Sequence, residues 1–190
     1  SIMPAVVTPH LLPPAMIDNF KAGLEFIASR QYGDTVTDDY GYKVDTRAWR
    51  SLPDWYTGNM PDIIQRRPNG LVFHEENYSD IYGTAEFITA LYEIYQVTGD
   101  QAWVASQQGT VESAVAGLKA FDEEYDAQYG DDGDRFPNLL IPMGDLGEIA
   151  GEYPGESAQM VYGLEDAAEL YRLYGEPAEA DALVNDYVMP

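Results

Sequence analysis

A chain of 190 residues is long enough for one domain with a sizeable core, and its 45% hydrophobic and 13% aromatic residues mark it as globular rather than disordered. Its 33 acidic residues against 10 basic ones give a formal net charge of −23, a surface that repels nucleic-acid phosphates and anionic lipid, so no nucleic acid and no membrane is expected as a partner. The absence of cysteine excludes disulfides and thiolate metal sites, and no apolar run approaches the roughly 20 residues that span a bilayer.

Lysine occurs only at Lys21, Lys43 and Lys119. Self-repulsion of this size is relieved by salt, which points to a halophilic source; an ordinary acidic secreted enzyme is the plainer alternative. The expected setting is soluble, cytoplasmic or secreted. The first residues lack a basic-then-apolar signal, and Ser1–Pro4 and Val188–Pro190 read as cut points in a longer protein.

In chain order, Phe20 to Arg30 reads as a helix with Phe20, Leu24 and Ile27 on its buried side. A long connection follows, from about Gln31 to Ser79, and is rich in acids and aromatics. From Thr84 to Val97, Phe87, Ile88, Leu91, Ile94 and Tyr95 fall on one helical stripe. Gly99 suits the left-handed position that ends this helix, and Asp100 can cap the next. That next helix carries Val111, Ala114, Val115, Leu118 and Phe121, so the two make an αα-hairpin.

A second long connection, about Tyr129 to Gly155, leads to the same unit again. Met160, Val161, Leu164, Ala167, Ala168 and Tyr171 form a stripe that ends at Tyr174-Gly175-Glu176. A short helix with Ala180, Leu183, Val184 and Tyr187 follows. Leu91-Tyr92-Glu93-Ile94-Tyr95 is echoed by Leu170-Tyr171-Arg172-Leu173-Tyr174, the self-similarity of a hairpin repeat. No strand pattern stands out. The expected architecture is therefore all-α, one domain over residues 1–190, built of αα-hairpins with long polar loops.

Loops of that length tend to carry function. Trp49, Trp55 and Tyr56 lie among carboxylates in the first of them. That mix suits a sugar cleft, with ring faces stacking and acids gripping hydroxyls; the rival reading is a small core that the loop builds for itself. Trp103, after the hairpin turn, reads as packing, and His10, between prolines, as incidental. Asp131-Asp132-Gly133-Asp134 invites calcium, but the twelfth position from Asp131 is Pro142 rather than a bidentate glutamate, so a plain turn is the better reading. There is no phosphate-cradling glycine loop, no serine nucleophile elbow and no HExxH zinc pair. Neither a metal nor a cofactor is expected.

Gly70-Leu71-Val72-Phe73-His74-Glu75, then Asp80, then Phe87 to Leu91 and Thr98-Gly99-Asp100, resembles the six-hairpin (α/α)6 glycosidases, the glucoamylase, trehalase and glycogen-debranching-like group. Phe73 replaces that family's common proline, and the spacing around Asp80 departs slightly. The resemblance spans about Phe20 to Tyr187 and extends to the loop Gly144-Asp145-Leu146-Gly147-Glu148 ahead of the later hairpin. It implies a toroid of which this chain makes about half, completed by the remainder of a longer chain or by a second subunit. It also implies a carbohydrate substrate. A general acid is expected at Glu148 or Asp145, with sugar contacts at His74 and Glu75 beside Asp80; the plainer reading of Asp80 is a helix cap.

Glycoside hydrolysis needs two carboxyl groups, one protonated and one ionised. Met143, Leu146 and Ile149 could raise the acid's pKa by partial burial, although in so acidic a protein Asp145 and Glu148 also read as solvated surface. In the resembled family the general base comes from a late hairpin outside this chain. The expected activity is a glycoside hydrolase, or part of one, acting on a neutral oligosaccharide. The alternatives are a non-catalytic carbohydrate-binding or assembly module on the same scaffold, or another toroid enzyme such as a sugar epimerase or polysaccharide lyase. The scarcity of basic residues to neutralise a uronate weighs against the last of these.

Overall fold

The computed structural model describes residues 13–31, 36–37, 43–44, 58–60, 63–66, 72–75, 81–129 and 154–188. These residues are predominantly helical. The helices are α1 (Pro14–Ala28), α2 (Ile81–Thr98), α3 (Gln101–Ser106), α4 (Gln108–Tyr129), α5 (Pro154–Tyr174) and α6 (Pro177–Leu183), which runs into a π-helical turn, Val184–Val188. Two short antiparallel pairs accompany them. Strand β1 (Val36–Thr37) pairs with β2 (Lys43–Val44), and β3 (Ile63–Arg66) with β4 (Val72–Glu75). Both pairs fall within the connection read from sequence as irregular. Strands of two to four residues carry too few alternations to register as a pattern.

Helix α1 begins at Pro14, earlier than its apolar spacing required, because proline at the first position loses no helical hydrogen bond. The added turn brings Ile17 into the core beside Leu24. Helix α2 lies at the centre. Every residue from Thr84 to Leu91 is buried, so this helix is enclosed on all sides and not on one stripe alone. Phe87, Ile88, Leu91 and Ile94 are essentially inaccessible, each contributing about 1.5–3 kcal/mol by leaving water.

Both expected hairpin turns form. Gly99 takes φ +64° and its N–H donates to Tyr95 O at 2.7 Å, a single left-handed cap. Asp100 Oδ1 accepts from Trp103 N at 3.1 Å and so caps α3. Gly175 takes φ +85°, with Glu176 N donating to Tyr171 O at 2.9 Å and Gly175 N to Arg172 O at 3.2 Å, the two bonds of a Schellman motif. The returning helix of the first hairpin is broken at Gln107, which ends α3 in a tight turn with its N–H on Val104 O at 2.9 Å.

Trp103 packs against the core, as expected from its place after the turn, and it clasps α1. Its Nε1 donates to Glu25 Oε1 at 2.8 Å, and Lys21 lies 4.9 Å above its ring while donating to Asp100 Oδ2 at 2.6 Å.

The most extensive helix contact is between α2 and α5, the first helices of the two hairpins, and not within either hairpin. Ala85 meets Gly163, Thr89 meets Asp166, and Tyr92 lies within electrostatic reach of Glu169. Contacts that advance together along both chains mean that α2 and α5 run side by side in the same direction. A Cβ built on Gly163 would stand 2.8 Å from Ala85 Cβ and 2.9 Å from its Cα, so glycine is what lets the backbones approach.

Candidate functional site

Of the residues singled out from sequence, Trp49, Trp55, Tyr56, Asp80, Asp145 and Glu148 lie outside the described residues, as do His10 and the Asp131–Asp134 turn. His74 and Glu75 are on β4, where their register partners are Ile64 and Ile63. Helix α2 starts at Ile81, the residue after Asp80.

A short anchor missed in the sequence joins this region to the helices. Gly58 has φ +95°, and a Cβ there would lie 2.0 Å from Ser113 O, so only glycine can rest against α4 at this point. Gln31 Nε2 donates to both Gly58 O (2.6 Å) and Thr110 O (3.0 Å). Two residues on, buried Met60 donates its N–H to Thr84 Oγ1 at 2.8 Å. The chain that continues into β3 and β4 is thereby pinned to the first turn of α2. An isolated Gly-Asn dipeptide after a Trp-rich stretch signals a turn; nothing in it tells that the turn is buried.

The second missed feature is a polar stripe on α2, of which Thr89 and Glu93 act on Asp166 of α5. Glu86, Thr89 and Glu93 recur at intervals of three and four, which aligns them on one face of α2. Glu86 is only 6% exposed and its Oε1 has no hydrogen-bond partner among the described residues. Thr89 is 8% exposed. Its hydroxyl lies near enough to the Asp166 carboxyl to lower that group's pKa, yet outside hydrogen-bond geometry, so Oγ1 is also left without a partner among the described residues.

Asp166 is pushed up to about 6, chiefly by burial, with Thr89 opposing the rise and the charges of Glu93, Glu165 and Glu169 adding to it. Arg172 Nη1 donates to Glu169 Oε1 at 2.5 Å and Nη2 to Asp181 Oδ1 at 3.3 Å, so one of these neighbouring charges is partly compensated. A carboxyl in such surroundings holds its proton into mildly acidic solution and then serves as hydrogen-bond donor as well as acceptor.

On the side of α5 facing α4, a shallow groove of about 300 Å³ opens between Glu112, Lys119 and Tyr171. Burial, then the charges of Glu112, Glu176 and Glu179, push the Tyr171 hydroxyl up to about 12, so it stays protonated. Among the described residues no group of three or more histidines and carboxylates could hold a metal ion, and no helix is long and apolar enough to cross a membrane.

No family model matches the chain, and neither a curated protein nor a solved structure matches it.

Proposed function

We propose that the protein is a glycoside hydrolase, or part of one, acting on a neutral oligosaccharide by carboxylate acid–base catalysis on an (α/α) toroid. The observation that carries this reading is the parallel packing of α2 and α5. Each is followed by a tight glycine turn and a further helix, so the chain repeats a unit whose first helices stand next to each other. Repetition of that unit generates a ring of parallel inner helices with returning helices outside, and it sends every inner N-terminus to one end. The segments leading into those N-termini contain His74, Glu75 and Asp80 ahead of α2, and Asp145 and Glu148 ahead of α5. Loops gathered at one end of a rigid scaffold are a common setting for catalysis.

Glu148, or Asp145 in its place, is the proposed general acid, and Trp49, Trp55 and Tyr56 the proposed stacking surface. The ionised partner carboxylate comes from a later hairpin on a longer chain or a second subunit. Glu148→Gln and Asp145→Asn, assayed on a panel of neutral disaccharides with the complete protein, test the assignment. The expected result is a fall in kcat of at least about 100-fold in one of them, the scale of lost acid–base catalysis. Unchanged turnover in both removes these residues as the acid, and absence of turnover in the unaltered protein removes the hydrolase.

A further inference from the structure

Glu112 near the start of α4 and Glu176 in the turn after α5 both accept from a single amide, Gln108 Nε2, at 2.7 and 2.9 Å. Two like charges therefore meet over a neutral donor, an arrangement that a cation stabilises. Tyr171 beside them supplies a second, independent sign of an absent partner. It is 7% exposed, it lines the groove of about 300 Å³ against α4, and its hydroxyl makes no hydrogen bond among the described residues. Unlike Thr89 Oγ1, that hydroxyl is not sealed off by protein atoms, so a molecule in the groove can reach it.

The far end of the groove has the opposite charge. Lys119, one of three lysines in the chain, lies 5.7 Å from the centroid of the Tyr187 ring and makes no ion pair among the described residues. Glu112 and Lys119 are two helical turns apart, so they stand on one face of α4, separated by about 10 Å along its axis. Val115, Ala116 and Ala120 line the stretch between them and offer it no polar side chain. A ligand that makes a charge-assisted hydrogen bond of about 2.8 Å at each end has its own charges about 5 Å apart, with an apolar middle. That separation is the span of about four linked carbon atoms, too long for an α-amino acid's own ammonium and carboxylate.

We propose that the groove between α4 and α5 binds a short linear zwitterion, its ammonium on Glu112 and the Tyr171 hydroxyl and its carboxylate on Lys119. Two sources carry this chemistry, a free ω-amino acid and a dipeptide. The site does not depend on the hydrolase reading.

Calorimetric titration of the complete protein with 4-aminobutyrate and with glycylglycine tests the site, with butylamine, butyrate and 1,4-diaminobutane as comparisons. At least one of the two zwitterions should bind, and the tighter of them identifies the source as free amino acid or peptide. Butylamine and butyrate each keep one of the two charges and should bind at least about 10-fold more weakly, the scale of one charge-assisted hydrogen bond. Glu112→Gln and Lys119→Met should weaken zwitterion binding by a similar factor, and Tyr171→Phe, which keeps the ring, by less. Lys119→Glu gives both ends of the groove the same charge, so its preference should pass from the zwitterion to 1,4-diaminobutane. A gain of that kind cannot come from misfolding. Equal affinity for butylamine and the zwitterion, or an unchanged preference in Lys119→Glu, overturns the site. Absence of binding by both zwitterions at millimolar concentration overturns it as well. None of these measurements involves turnover, so the hydrolase reading stands or falls separately.

Discussion

Replacing Gly163 by alanine puts the parallel α2–α5 contact to a direct test. The new methyl carbon would stand 2.8 Å from Ala85 Cβ, 2.9 Å from its Cα and 3.0 Å from its carbonyl oxygen. Two of these three atoms are backbone within the most buried helix, so relief requires the helices to separate and not a side chain to turn. Overpacking of this kind costs about 1–3 kcal/mol, and with rigid neighbours the upper half of that range applies. Alanine returns up to about 1 kcal/mol through helix propensity. The net expectation is a loss of about 1–2 kcal/mol, or a fall in Tm of about 3–6 °C for a chain of this size. Urea denaturation followed by circular dichroism measures it, with Gly23→Ala and Gly83→Ala as controls, since a Cβ at either position meets nothing within 4 Å. Both controls should gain up to about 1 kcal/mol. If Gly163→Ala is stabilised as the controls are, the helices do not approach at this point and the parallel arrangement is wrong. Adding Ala85→Gly to Gly163→Ala should recover only part of the lost packing, because the backbone contacts remain.

Gly58→Ala should be worse than Gly163→Ala, costing about 3 kcal/mol or more, since it meets both a positive φ and the Ser113 carbonyl; a variant as stable as the parent in the same urea titration would contradict the anchor. For Asp166, the folded pKa of about 6 lies above its ordinary 3.8, so the stability it confers is complete below about pH 4 and is lost as pH rises through 6. That difference caps the effect at about 3 kcal/mol, and partial exposure screens it to about 1–2 kcal/mol. Asp166→Asn should therefore match the parent at pH 4 and exceed it by that amount at pH 7.5; an equal gain at both values would mean that ionisation is not the cause. With a net charge of −23, the protein should melt higher in molar KCl than in dilute buffer, and a Tm indifferent to salt would exclude self-repulsion as a destabilising force.

Local chemistry was legible from the amino-acid order alone. Gly99, Gly175 and Asp100 are readable because cap and turn requirements are met within a few residues of themselves. The apolar stripes of α2 and α5, and the Leu-Tyr-x-x-Tyr echo before each turn, are likewise readable because helical periodicity is local. Of the proposed site, the sequence supplied residue types and order: β4 carries His74 and Glu75, yet short strands paired across a loop leave too faint a pattern to announce themselves.

What the tertiary structure decided is which repeated elements touch. Tyr82-Gly83 and Tyr162-Gly163 look alike in sequence, yet Gly83 has open space where Gly163 is pressed against the backbone of α2. No residue near either glycine distinguishes them. The burial of Glu86 was hidden for the same reason: a polar residue on a helix reads as solvated unless other parts of the chain close over that face. Whether a side chain is enclosed depends on the neighbours that arrive from elsewhere in the chain, and for Ala85 and Thr89 those neighbours come from α5.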